Sequence, residues 1–147
     1  MITMTPDRAW LGVVSADHTR RASEHGFIQL NHGKRYNLNR LRPGDGFVIY
    51  SPTEQYGEKV PLRAFTALGI VADSEPYQAE PMSMGTHGVV RPWRQAVDFE
   101  VVERAALADV TAELTLTRQP NWGYQLRRGL VPLAVEDFEV LRSVMIC

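Results

Sequence analysis

A chain of 147 residues, 44% apolar and 22% charged, has the size and composition of one globular domain, residues 1–147, with a core of its own. No apolar run reaches the eighteen or so residues of a membrane span. The opening MITMTPDRAWLGVV lacks the pattern of a signal peptide, and the single cysteine, Cys147, has no internal partner, so a cytoplasmic protein without membrane contact is expected.

AWLGVVS (9–15) reads as a buried strand in which Trp10 belongs to the core. SADHTRRASEH follows as a short helix, with Ser15 or Asp17 near its N-cap and Gly26 as its stop. FIQL (27–30) is extended, NLNRL (37–41) makes one helical turn, and RPGDG makes a tight turn. FVIYS (47–51) is a strand with Phe47 and Ile49 on one side, Val48 and Tyr50 on the other. SPTEQYGEKVP (51–61) is a polar loop. LRAFTALGIVAD (62–73) is a long strand in which Gly69 marks a bulge or bend.

The next stretch, YQAEPMSMGTHGVVRPW, reads as irregular and extended. In QAVDFEVVERA, Val97, Phe99 and Val101 alternate with Asp98 and Glu100. LADVTAELTL forms a short helix, and VEDFEVLRSVM a terminal one with Val135, Phe138, Leu141 and Met145 on its core face. Five or six strands with short helices and no βαβ alternation give an α+β fold, a small mixed β-barrel with flanking helices.

Several chemistries have no signature here. There is no GxxxxGK[ST] loop, no GxGxxG after a strand and no GxSxG elbow. The four histidines are not at metal-site spacing, and no cofactor is implied. The net charge of −1 argues against a strongly basic protein. Its distribution points elsewhere: eleven of the sixteen cations lie in residues 20–42, 91–94 and 118–128. Either the fold gathers these segments into one positive face, or they scatter over a solvated surface.

Rings and amides share those segments. GFIQLNHGKR carries Gln29, Asn31, His32, Lys34 and Arg35; VVRPWRQ sets Trp93 between Arg91 and Arg94; PNWGYQ holds Trp122, Tyr124 and Gln125. Flat rings stack on a base, amides and hydroxyls read its edge, and cations hold the flanking phosphates. For His32 a turn residue bonded to backbone is an equal alternative, and Arg127 and Arg128 read equally as surface partners of acids.

The ordered series WLGVVS, GFIQLNHGK, LRPGDGFVIYSP, FTALGIV, RPWR and NWGYQLRRGL resembles the EVE domain of the PUA-like superfamily, beside the YTH and ASCH domains. The resemblance runs from Trp10 to about Leu141. It implies a PUA-like barrel and a pocket for a flipped, modified base, a cytosine or adenine in DNA or RNA. Carried over by position, the base-binding residues are Ser15, Asn31, His32, Tyr50, Ser51, Trp93, Trp122 and Tyr124. Lys34, Arg35, Arg94 and Arg127 are the expected phosphate contacts. Trp93 and Trp122 are expected to converge on one slot, closed by Tyr50. The expected partners are modified nucleic acid and, since nothing in the chain cuts DNA, a separate effector protein. Two rival readings remain. One is a small nucleoside hydrolase of ASCH type, with Lys34, His32 or Tyr124 as acid–base groups. The other is an interaction protein whose pocket is filled.

Overall fold

The computed structural model describes residues 5–30, 35–55, 57, 59–83 and 88–146. One sheet dominates. Its main path runs β10 (Leu130–Leu133), β1 (Ala9–Val13), β3 (Gly46–Thr53), β4 (Pro61–Val71), β8 (Trp93–Phe99) and β2 (Phe27–Ile28). β1 and β3 are parallel, linked through a helix, α1 (Ala16–His25); β10–β1, β3–β4, β4–β8 and β8–β2 are antiparallel. Three short strands extend this sheet or form a small hairpin beyond it: β5 (Tyr77–Gln78) pairs with β8, while β6 (Met82–Ser83) pairs with β7 (Val89–Val90). A further short strand, β9 (Ala105–Ala106), pairs with the start of β4. The sheet curls into a mixed half-barrel flanked by short helices, an α+β architecture.

Strand alternation divides the core in two. Ala9, Leu11, Val48, Tyr50, Phe65, Leu68, Val131 and Leu133 face one cluster. Helix α2 (Leu107–Val110) and helix α4 (Val135–Met145) cover it with Leu107, Val110, Phe138, Leu141 and Met145. Trp10, Phe47, Ile49, Ala67, Val71, Val97 and Leu130 face the other, which Ile28, Leu30, Leu38 and Leu41 close from the concave side. Phe47 and Ile49 thus oppose Val48 and Tyr50, as the alternation requires.

The local signals explain most element ends. α1 stops at Gly26, which takes the left-handed conformation at φ 73° and donates its N–H to the Ala22 carbonyl. Trp10 is core, and its indole N–H donates to Asp45, 2.8 Å away, in the turn that starts β3. Arg40 lies over the same indole, 4.8 Å from the ring centroid. Val101, expected to continue an inward face, lies past the end of β8 and is 84% exposed.

The bulge expected at Gly69 is elsewhere. The register passes from Ile49↔Ala67 to Tyr50↔Phe65, so the extra residue is Thr66. Its hydroxyl joins those of Thr19 and Ser51 in a triangle with sides of 2.8–3.2 Å. Gly69 serves close approach instead. A Cβ there would lie 2.4 Å from the Asp98 carbonyl oxygen and 2.8 Å from the Phe99 Cα. Gly69→Ala is therefore expected to force β8 away from β4 and cost about 1–3 kcal/mol of stability. A urea midpoint equal to wild type would refute that account.

Candidate functional site

A narrow crevice, closed in this structure even to a water molecule, lies where α1 meets the ends of β1 and β2. Gly12, Val14, His18, Ala22, Ile28, Gln29, Leu30 and Ile49 line it. Its floor depends on a missing side chain: a Cβ on Gly12 would lie 2.7 Å from Phe47 Cζ. Against this apolar lining stand two polar groups, the His18 imidazole and the Gln29 carboxamide.

Strand pairing sets the neighbourhood. Phe27 is opposite Ala96 and Ile28 opposite Gln95. One step further, Gln29 Oε1 accepts from Arg94 Nε at 3.2 Å. The Arg94 guanidinium also lies over the Phe27 ring, its Cζ 4.0 Å from the centroid. Trp93 is half-buried and packs on the cluster that contains Ile28 and Leu30, two residues of the cleft lining, without lining the cleft itself. Arg35 covers the indole, its Cζ 4.4 Å from the ring centroid. Basic segments 20–42 and 91–94 therefore do meet.

Burial pushes His18 below the ordinary imidazole value; Arg21 and Arg94 push the same way, while Asp17 opposes them. The unfolded chain then binds the His18 proton more readily than the folded one. The sign follows: stability is complete above the ordinary histidine value, near 6.5, and falls as the pH drops below it. His18→Gln is expected to flatten the loss of stability between about pH 6.5 and 5 in urea titrations. An unchanged slope would mean that other groups govern this window.

The other sequence-derived candidates are placed differently. Trp122, on the short helix α3 (Trp122–Gln125), packs on the cluster under α2 and α4, across the sheet from Trp93. The expected slot between the two indoles is not formed, because the strands between them present alternate residues to opposite faces. Tyr50 does not close a pocket: it is 3% exposed, in the Trp122-side cluster, edge-on to Phe65 with centroids 5.4 Å apart. Ser51 is fully buried, its hydroxyl held by Thr19 and Thr66. Ser15 is 8% exposed, and its hydroxyl donates to Asp17. Tyr124 is 64% exposed on α3, and Arg127 follows it, also exposed. The third basic segment is thus anchored by Trp122 and Leu126 on the cluster across the sheet from Trp93. Arg94 is engaged by Gln29 and Phe27 in place of an open phosphate contact. Asn31, His32 and Lys34 lie outside the described residues.

Sequence reading undervalued His18 and Gln29. The signal for Gln29 was present: it is the polar member of FIQL, flanked by Ile28 and Leu30, which both face the core. Among the described residues, no cluster of histidine, cysteine and acids is arranged to hold a metal ion. Nor is any of their helices long and apolar enough to cross a membrane.

Comparison with known proteins places this geometry in context. The family model described as the EVE domain matches residues 8–144. A UPF0310 protein of Renibacterium salmoninarum is 43% identical over 136 residues, covering 92% of this chain and 94% of its own length. One from Mesorhizobium japonicum is 44% identical over 139 residues, 92% of this chain and 90% of that protein. A UPF0310 protein of Bacillus subtilis is 31% identical over 139 residues, with the same two coverages. Among solved structures, an Agrobacterium tumefaciens protein superposes with a TM-score of 0.53 at 16% identity, over 95% of this chain and 94% of its own. A Pseudomonas syringae protein gives 0.55 at 15%, over 92% and 97%.

Proposed function

The chain belongs to the EVE-domain family, and on that footing we propose that it is a non-catalytic reader that takes a modified nucleic-acid base into the cleft between α1 and β2. One observation supports the reading: an apolar crevice beside α1, with His18 and Gln29 among its lining residues, adjoins the cluster on which the half-buried Trp93 packs. The crevice has to widen for a base to enter edge-on toward Gln29 and His18, and the outer part of the base then meets the Trp93 ring.

Arg35 must leave the face of Trp93 for stacking to occur. The magnitudes favour the exchange. A cation–π contact at an exposed site contributes about 0.5–1 kcal/mol, whereas stacking of a base on an aromatic ring contributes about 1–3 kcal/mol per base. Once displaced, Arg35 stands next to the base's own phosphate, which is the role the sequence suggested for it. Flipping the nucleotide out of a duplex costs a few kcal/mol, so single-stranded or locally unpaired substrate is preferred. Of the acid–base candidates for hydrolysis, Tyr124 lies across the sheet on α3, and His32 and Lys34 lie outside the described residues.

The test is a titration of the 15N-labelled protein with short single-stranded oligonucleotides, each carrying one modified cytosine or adenine. Backbone amide shifts are expected to concentrate at Ala22, Ile28, Gln29 and Arg94. Shifts confined to residues 121–128 would move the site to α3.

A further inference from the structure

A strip of arginines leads away from Trp93. Arg35, over the Trp93 ring, donates from Nε to Asn39 Oδ1 at 2.9 Å. The Asn39 carbonyl accepts from the Arg42 guanidinium at 2.8 Å, and the Leu41 carbonyl accepts from it at 3.2 Å. Arg40 lies over Trp10 and donates to Asn37 Oδ1 and to the Leu130 carbonyl. Arg8 ends the series, 6.0 Å from the centroid of the same indole and 3.8 Å from the Asp45 carboxylate. Contacts thus run unbroken from Trp93 to the start of β1.

The charge of this strip is largely uncancelled. Elsewhere Arg20 and Arg104 share the Glu54 carboxylate, and Arg142 pairs with Glu100. Arg35, Arg40 and Arg42 are held instead by carbonyl and amide oxygens, which carry no net charge. Among the described residues one carboxylate touches the strip, that of Asp45, and it is buried and occupied. It accepts from the Trp10 indole N–H and from the Arg42 backbone N–H. Four guanidiniums against one carboxylate leave positive charge in excess, on side chains of which Arg8, Arg35 and Arg42 are exposed. Two carbonyls hold the Arg42 guanidinium in place, so little side-chain freedom is left to lose when an anion binds.

We propose that this strip carries the sugar–phosphate backbone of a nucleic-acid strand on one side of the base held at Trp93. The proposal rests on base reading for its anchor and adds the course of the strand, with Arg42 and Arg8 as phosphate contacts. A line of separate cations fits an anion that repeats along a chain, and a strand of nucleotides also uses the aromatic ring at which the line begins. Arg35, displaced from that ring, takes the phosphate next to the base; Arg42, Arg40 and Arg8 take those beyond it. Phosphate contacts position a strand without reading its sequence, so the strip supplies affinity and a direction but no choice of base.

Two short single strands test this, alike except that the modified base stands at the 5′ end of one and at the 3′ end of the other. Affinity is read by fluorescence anisotropy over a range of salt. Deoxyribo- and ribo-strands are run in parallel, since both carry the phosphates. Arg8→Gln combined with Arg42→Gln removes two contacts, and both residues are exposed, so the fold is expected to survive; a urea midpoint verifies it. For one placement of the base, the slope of log K against log salt is expected to shrink by about 1.4, or about 0.7 per contact. The other placement sends its phosphates away from the strip and is expected to change little. Preference for the modified base is expected to persist in the variant. Arg20→Gln combined with Arg104→Gln removes the same charge beyond the opposite end of β3, and is expected to leave both slopes near wild type. An unchanged slope, an equal loss at both placements, or an equal loss in the two double variants overturns the strip and leaves base reading intact. Equal binding of modified and unmodified strands by wild type overturns base reading instead, and the two double variants still decide on the strip by their salt slopes. Failure of wild type to bind any strand overturns both.

Discussion

Phe138→Ala is expected to lower the urea unfolding midpoint more than any single surface change, with a loss of about 3–5 kcal/mol. A domain of this size has roughly 5–15 kcal/mol in total, so the variant is left marginal at 37 °C. The ring is fully buried in the cluster beneath α4. It sits there because Gly46, the first residue of β3, has no side chain. A Cβ on Gly46 would lie 2.8 Å from two of the ring carbons. More than packing is lost. Asp137, next to Phe138, accepts from the backbone N–H groups of Thr115 and Leu116 and from the Thr115 hydroxyl. Arg142, one turn on, pairs with Glu100 beyond the end of β8. Loosening α4 loosens both attachments.

A double-mutant cycle sharpens the test. Gly46→Ala alone overpacks the ring and costs about 1–3 kcal/mol. In the Phe138→Ala background the added methyl group occupies space the ring has vacated, so the same change is expected to be close to neutral. The coupling should exceed about 0.5 kcal/mol. Strictly additive effects would mean that the helix and strand shift apart freely, and that the close fit is not what seats α4.

The second large effect separates two tryptophans that look alike in the sequence. Trp93→Ala is expected to weaken binding of a modified-base oligonucleotide about five- to 150-fold, the equivalent of about 1–3 kcal/mol of stacking. Trp122→Ala is expected to leave affinity within about twofold of wild type while lowering stability, because that ring packs on the cluster under α4. The pair of measurements has opposite signatures, binding for one and folding for the other. Reversal of the two would place the reader's site on α3. Trp93 is only half-buried, so the truncated protein is expected to remain folded, and a thermal melt run alongside verifies it.

Much of this protein could be read from its residues in order. The α1 stop at Gly26, the turn at RPGDG, the division of Phe47 and Ile49 from Val48 and Tyr50, and the terminal helix are local matters. Each depends on φ preferences or on a period of 2 or 3.6, which neighbouring residues set among themselves. The family was legible for a related reason: six short motifs kept their order along the chain. The bulge at Thr66 was not legible. A bulge is a relation between two strands, and Gly69, the residue that looked like one, is small because β8 passes 2.4 Å from where its Cβ would be.

The candidate site divides along the same line. That rings, amides and arginines are present was plain from composition, as was their crowding into three segments. Which of them face one another depends on which side of the sheet each strand presents, and that is fixed only when distant strands pair. Pairing of β2 with β8 brings Gln29 to Arg94 across 65 positions of sequence and sets Trp93 on the cluster beside the cleft. The same alternation sends Tyr50 and Trp122 to the opposite face. Sequence alone thus determined the longer elements, the family and the chemical vocabulary, while the short strands β5, β6, β7 and β9, the strand β10 and the helix α3 were not legible in it. Tertiary structure decided the grouping, because a side chain's neighbours across a sheet follow from register, and register is a property of strand pairs.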